Sequence, residues 1–327
     1  MRLKIGVVGC GMVSGYGHLP AIAASPDWTL LAVADVDAAR LARTREQYAP
    51  AHACRDYREL VALPGLDAVV VATHLDTHHE ITLAALAHGR HVLCEKPMAA
   101  SLTQCREMVA AAAHAGRLLA INFNTRPGAI YREIKRLIDA GTVGPVRVVR
   151  FVYDWSAHQW QPPERLERFM ANGGPIVDSG VHFFEGARWF TGQEIVDVSA
   201  HGVCLPPHEH PQHVIATCRL SGGAVALIEA GWLYCKRTQS QGSLFQIDVI
   251  GDDGAISYDA TMAALRVYSR SATEQRAFTD EDKHFELVYA FLAESVRQGR
   301  LVELGSGEDG LKATEAALQA LAAAKAG

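Results

Sequence analysis

The sequence lacks several features that would have assigned it to a class at once. No run of lysine and arginine interrupts it and its formal net charge is −5, so nothing points to nucleic acid or an anionic membrane surface as a partner. No apolar run approaches the length of a bilayer span. The opening, Met1-Arg2-Leu3-Lys4-Ile5-Gly6, is broken too soon by glycine to be expected to act as a secretory signal. The seven cysteines (10, 54, 94, 105, 204, 218 and 235) are odd in number and form no C-x-x-C pair. This excludes a complete disulfide framework and fits reduced, mostly buried thiols in a cytoplasmic protein, none of them marked as a nucleophile. Internal repeats, low-complexity segments and a flexible linker are also missing.

What is present is a chain of 327 residues, 49% apolar, enough for two domains and a large core. Its centre is His91-Val92-Leu93-Cys94-Glu95-Lys96-Pro97. A short apolar strand ends there in an acid, a base and a proline, and the proline cannot continue a sheet ladder. Glu95 and Lys96 are thereby left at the carboxyl end of a strand, where open α/β sheets bind their ligands. A lysine in such a place is suited to positioning or moving a proton.

Upstream, Leu3–Val8 reads as a strand running into Gly9-Cys10-Gly11-Met12-Val13-Ser14 and then a helix to about Ala24. Glycines at 9 and 11 allow a tight turn and close approach of backbone to a pyrophosphate at a helix N-terminus. The next strand, Trp28–Ala34, ends at Asp35, 24 residues after Gly11. An acid there accepts hydrogen bonds from the ribose hydroxyls and repels a 2′-phosphate, so NAD is expected and NADP is the less favoured cofactor. Asp37 has the alternative task of capping a helix from Ala38. Strands at Ala68–Ala72, His91–Cys94 and Leu118–Ile121 alternate with helices at Asp76–His88 and Ser101–His114. Continuously apolar strands separated by helices imply a parallel sheet covered on both faces.

Near Asn122 the pattern changes. One helix, with Ile130, Ile134, Leu137 and Ile138 on a face, precedes seven shorter alternating stretches from Val146–Tyr153 to Leu265–Tyr268. Ser221-Gly222-Gly223 and Gly251-Asp252-Asp253-Gly254 read as turns between them. Two helices, His284–Gln298 and Glu308–Lys325, close the chain. The expected organisation is a domain over 1–122 and an α+β domain over 123–327. Within the second, Gly173-Gly174-Pro175-Ile176-Val177-Asp178-Ser179-Gly180-Val181-His182 would put Asp178 and His182 on one face if it opens a single helix. A carboxylate beside a histidine suits a general base. An N-cap aspartate with a half-exposed histidine is the plainer alternative. The stretch 153–160 mixes aromatic faces with polar groups, as a carbohydrate site or a packed loop would. The histidines at 208, 210 and 213, and at 74, 78 and 79, lack an obvious set of closing ligands, so no metal site is expected.

Gly9-x-Gly11, Asp35, Thr73–His78, Gly89-Arg90-His91-Val92-x-x-Glu95-Lys96-Pro97 and Gly173-Gly174-x-x-x-Asp178-x-Gly180-x-His182 occur in this order. On these motifs the chain resembles, over essentially its whole length, the glucose–fructose oxidoreductase/inositol dehydrogenase family, Gfo/Idh/MocA. The resemblance implies an α/β Rossmann fold with a doubly wound parallel sheet, followed by an α+β domain with a large, mostly antiparallel open sheet. It implies an NAD(P)-dependent dehydrogenase acting on a CH–OH group of a sugar, cyclitol or sugar derivative. Lys96, Asp178 and His182 would be catalytic: His182 the base, Asp178 its orienting partner, Lys96 the group polarising the oxygen. Gly9, Gly11, Met12, Val13, Asp35, Thr73, His74, His78, Glu95 and Lys96 would hold the cofactor. Asn122, Arg126, Trp155, His158 and Tyr234 would join Lys96, Asp178 and His182 around the substrate, with Trp232 and Arg237 nearby. The Lys96–Pro97 bond can be cis in this family. A homodimer or homotetramer through the second-domain sheet is implied as well. Ser14, His74, Gly174-Pro175 and Glu185 depart from the family pattern without removing a catalytic group. Two other activities fit the same resemblance: glycoside processing with a retained NAD, and nucleotide sensing without catalysis.

Overall fold

Strands and helices alternate along the first part of the chain. They are β1 Leu3–Val8, α1 Leu19–Ala24, β2 Trp28–Ala34, α2 Ala38–Tyr48, β3 His52–Cys54, α3 Tyr57–Val61, β4 Ala68–Val71, α4 Leu75–Ala87, β5 His91–Cys94, α5 Leu102–Ala115 and β6 Leu119–Ile121. A π-helical turn, Ser14–His18, runs directly into α1. Next come α6 Ala129–Asp139, β7 Val146–Trp155, α7 Pro163–Ala171, α8 Gly174–Asp178 and α9 Gly180–Thr191. The strands β8 Ile195–Val203, β9 His213–Leu220, β10 Val225–Gly231, β11 Ser243–Gly251, β12 Ala255–Asp259, β13 Ala264–Tyr268 and β14 Thr273–Ala277 follow. The chain closes with α10 Phe285–Gln298, β15 Gly305–Ser306 and α11 Gly307–Ala326. This computed structural model describes residues 2–155, 163–234, 238, 242–280 and 283–326.

The helix starts follow from local chemistry. The Asp37 carboxylate accepts from the N–H groups of Ala39 and Arg40 and starts α2, and Ser101 does the same for α5 through Gln104. Strand β4 is buried along its whole length, because helices cover both faces of its sheet.

The chain forms two compact units, one of Met1–Pro127 with Asp282–Leu311, the other of Gly128–Glu281 with Lys312–Gly327. The sequence places one boundary at residue 122. The structure instead sends α10 and β15 back to the first unit. The reason is hydrophobic: Phe285, Val288, Tyr289, Leu292 and Ala293 complete a core with Ile5, Leu19, Ile22 and Trp28. The Trp28 indole N–H also donates to the Tyr289 carbonyl at 2.8 Å.

In the first unit the sheet order is β15-β6-β5-β4-β1-β2-β3. All neighbours are parallel except β15, which runs antiparallel to β6. The parallel part has the strand order of a dinucleotide-binding fold, with its switch point between β1 and β4.

In the second unit the order is β14-β13-β12-β11-β7-β10-β9-β8. Only β7 and β10 are parallel; the other neighbours are antiparallel. One face carries Phe151, which stacks on Phe183 and Phe190 of α9 at 5.4 and 5.8 Å. The opposite face presents alternate residues of the same strands, including Val203, Ile215, Val225 and Ile250, each 37 to 47% exposed.

Candidate active site

The glycine loop leaves β1 at the switch point. Gly9 has φ +99°, and a Cβ there would lie 2.3 Å from the Ala72 carbonyl oxygen at the end of β4. Only glycine fits such a position. At Gly11 a Cβ would meet nothing within 4 Å, so open space lies where a pyrophosphate would approach the backbone. The Ser14 hydroxyl donates to the Gly9 carbonyl and closes the turn. Met12 is half exposed at the rim, and Val13 packs partly onto the core.

Asp35 follows β2 and braces this loop. One carboxylate oxygen accepts the Cys10 N–H at 2.7 Å and the other the Asp37 N–H at 2.8 Å. The carboxylate is half-buried and retains lone pairs for ribose hydroxyls. Asp37 is occupied as the α2 cap.

Thr73 lies between β4 and α4, its hydroxyl accepting from Thr77 at 2.8 Å. His74 is exposed at the N-cap of α4. His78 is 2% exposed, with Nδ1 3.0 Å from the Pro97 carbonyl and Nε2 3.3 Å from that of Thr73. Burial pushes its pKa down against the pull of those carbonyls. His78 therefore holds the Thr73 and Pro97 segments together from beneath.

Glu95 and Lys96 leave the end of β5, and the Lys96–Pro97 bond is cis. Glu95 is buried at 9% exposure, while Lys96 is half-buried. The Asn122 amide, at the end of β6, donates to Glu95 Oε1 at 2.6 Å, and His18 Nε2 reaches the same oxygen at 2.9 Å. The Lys96 N–H donates to Oε2 at 3.2 Å. Burial alone would raise the Glu95 carboxyl, but the bond to and charge of His18, with Asn122 and Lys96, hold it at about 2. It is a carboxylate at any physiological pH. Among the described residues the buried Asn122 Oδ1 has no partner. It offers an acceptor for a donor such as a carboxamide. The open cradle over Gly11 and this orphaned acceptor fit the residues to a nicotinamide dinucleotide.

Burial disfavours the thiolate at three of the buried cysteines. Burial pushes Cys10 up to about 11 and Cys218 up to about 12, and raises Cys94 further.

In the second unit, Gly173 (φ +106°) and Gly174 (φ +67°) make the entry to α8. A Cβ on Gly174 would sit 2.9 Å from the Pro211 carbonyl. The condition for Asp178 and His182 to share a face, a single helix spanning both, is not met. Helix α8 ends at Asp178, and Ser179 (φ −101°, ψ −37°) joins it to α9. The His182 N–H bonds to the Ser179 carbonyl at 3.1 Å, a short-range turn rather than a regular α-helical bond. His182 is 8% exposed in the first turn of α9, and Asp178 is half-buried.

Of the substrate candidates, Trp155 ends β7 opposite Ser243. Tyr234 is 44% exposed, and its N–H donates to Asp154 at 3.1 Å. Arg126 lies 3.5 Å from Asp309. His158 and Arg237 fall outside the described residues.

Two clusters escaped the sequence reading. His18 links Glu95 to the Tyr289 hydroxyl, 2.8 Å from its Nδ1. His213 sits between Asp154 and Glu229, 3.0 Å from each, and its pKa is raised chiefly by Asp154. It is thus engaged with carboxylates, apart from His208 and His210. Both clusters join residues far apart in the chain. No local spacing signals them.

A Rossmann sheet with a built glycine loop, an acid at the end of β2 and a lysine after β5 has the layout of a dinucleotide-dependent oxidoreductase. Residues 3–123 match the GFO_IDH_MocA family, described as "Oxidoreductase family, NAD-binding Rossmann fold". Residues 131–257 match the GFO/IDH/MocA C-terminal domain. The chain belongs to the Gfo/Idh/MocA family of NAD-binding oxidoreductases. It is 29% identical over 309 residues to a myo-inositol 2-dehydrogenase from Thermotoga maritima, covering 92% of this chain and 86% of the relative. It is 31% identical to inositol 2-dehydrogenase 2 of Saccharopolyspora erythraea, over 76% of this chain and 74% of that one. Among solved structures, the aldose-aldose oxidoreductase from Caulobacter crescentus, complexed with glycerol, superposes with a TM-score of 0.85 at 26% identity. That match covers 100% of this chain and 98% of the other.

Proposed function

We propose that this dehydrogenase oxidises a secondary alcohol of an inositol or a related cyclic polyol, using NAD, in the cytoplasm. The observation that carries the reading is the Glu95–Lys96 pair at the edge of β5. An ionised, braced carboxylate there precedes a half-buried lysine. The inositol dehydrogenases among the relatives support the substrate class. When bound, NAD supplies the hydride acceptor at its nicotinamide ring. Gly9, Gly11, Met12, Val13, Asp35, Thr73, His74 and Glu95 hold the dinucleotide, and the Asp35 carboxylate favours a free ribose 2′-hydroxyl. His182 takes the hydroxyl proton of the alcohol, Asp178 orients it, and Lys96 polarises the oxygen as the carbinol carbon becomes a carbonyl. Asn122, Arg126, Trp155 and Tyr234 contribute to binding the polyol.

The test is a turnover screen offering inositols, aldoses, sugar acids and anhydrosugars with NAD or NADP, with reduced nicotinamide followed optically. Activity with inositols and a preference for NAD is the expected result. Activity confined to an unrelated class would overturn the substrate assignment, and a preference for NADP would overturn the role of Asp35.

We also infer that the uncovered face of the second sheet joins two copies of the chain. Helices α8 and α9 pack on one side only. The other side exposes Val203, Ile215, Val225 and Ile250 interspersed with charged residues such as Arg219 and Glu229, and an uncovered sheet face carrying exposed apolar side chains supports an interface. Light scattering at micromolar protein is expected to show a dimer or tetramer, which Ile215→Asp with Ile250→Asp splits. A monomeric wild type contradicts the inference.

A further inference from the structure

His18 stands outside the expected site, at the end of the π-helical turn after the glycine loop, and is fully buried. Its two ring nitrogens are committed: Nε2 to Glu95 Oε1 at 2.9 Å and Nδ1 to the Tyr289 hydroxyl at 2.8 Å. Phe285 meets the ring edge-on at 4.9 Å. The same Phe285 crowds Gly17, where a Cβ would come within 2.5 Å of it. The turn is thus pinned from the α10 side, which fixes the direction in which His18 points.

What His18 grips is the branching point of the Lys96 region. Glu95 uses Oε1 for His18 and Asn122 and Oε2 for the Lys96 N–H. Those contacts bring together the ends of β5 and β6. A buried polar cluster of this type adds little net stability compared with apolar packing of the same volume. Fixing orientation is the role such a cluster serves well. The titratable groups around it are Glu95 and Lys96 after β5, Tyr289 on α10, and His78 on α4, which senses the Glu95 charge.

We propose that His18 is a positioning residue for the dehydrogenase reaction: through Glu95 it fixes the Lys96 main chain and the Asn122 amide. The inference rests on the assignment of Lys96 to the chemistry given above. Tyr289 and Phe285, from the segment that returns to the first unit, set the orientation of His18. The returning helix α10 is therefore coupled to the site through His18.

His18→Phe keeps a ring against Phe285 and removes both hydrogen bonds. It is expected to lower kcat about 30-fold while the polyol KM and the NADH affinity, read by nucleotide fluorescence, stay within about threefold. His18→Gln, which can still donate to Glu95, should recover most of the rate. Should His18→Phe fail to fold, Tyr289→Phe provides the test, with an expected loss of about threefold in kcat. A His18→Phe enzyme within about twofold of wild-type kcat overturns the proposal. So does a loss that follows the melting temperature, with His18→Gln no better than His18→Phe, and so does an unchanged Tyr289→Phe. Lys96→Met separates the two readings. If it is inactive while His18→Phe is native, this inference alone falls; if Lys96→Met is active, the assignment of Lys96 falls.

Discussion

Replacing Lys96 by methionine is expected to lower kcat about 10³-fold while leaving the affinity for NAD within about threefold of wild type. Methionine matches the lysine stem in length and apolar character, so the packing of the half-buried side chain survives. Only the ammonium is lost. Most of the groups proposed to hold the dinucleotide lie away from Lys96 in the first unit: the Gly9–Gly11 turn, the Asp35 carboxylate on the Cys10 N–H, and the Thr73 segment fixed by His78. Glu95 keeps its bonds from His18 and Asn122, because the Lys96 partner it uses is a main-chain N–H. Steady-state kinetics and titration with NADH check both halves of the expectation. A variant with near-native kcat removes Lys96 from the chemistry. Parallel losses of turnover and NADH binding make it a cofactor-holding residue only.

The second large effect is expected from His182→Ala, with kcat/KM lowered about 10²- to 10³-fold. The residue lies in the first turn of α9, among the buried Val181, Phe183 and Phe184. Its backbone is placed by the junction at Ser179 and by the Gly173–Gly174 entry to α8, none of which the substitution touches. The fold should therefore persist. Removing an imidazole base also removes the fall in rate that its protonation causes on the acid side of the profile, so the alanine variant should respond less to acid than wild type. Asp178→Asn should cost less, about 10- to 100-fold, because the base remains and only its orienting carboxylate is lost. An alanine variant with an unchanged acid limb would place the base elsewhere.

The parts of the fold that could be read locally were those with a local cause. The β2 span and the Asp37 cap occur at the residues expected, since a capping side chain and an apolar run act over a few positions. Strands β3 and β15, of three and two residues, are too short to show a pattern. Strand β14 is exposed at every position and carries no alternation of burial to read. The return of α10 depends on a core shared with β1 and β2.

The site divides in the same way. Gly9, Gly11 and Asp35 were legible because a dinucleotide fold imposes their spacing, and Lys96 because Pro97 ends its strand. His18 was not, since its partners lie 77 and 271 residues further along the chain. Nor was His213, whose carboxylate partners come from the adjacent β10 and from β7, one strand further on. The seam of polar groups beneath a site is assembled by topology, and one-dimensional spacing carries no trace of it.

The most direct test of the central claim is an isotope transfer. The purified enzyme would be given NAD and myo-inositol bearing deuterium on its ring carbons, and the NADH formed would be weighed by mass spectrometry. The account predicts that NADH gains the deuterium as the inositol becomes a ketone. Unlabelled NADH, or consumption of the polyol with no NADH formed, would contradict it.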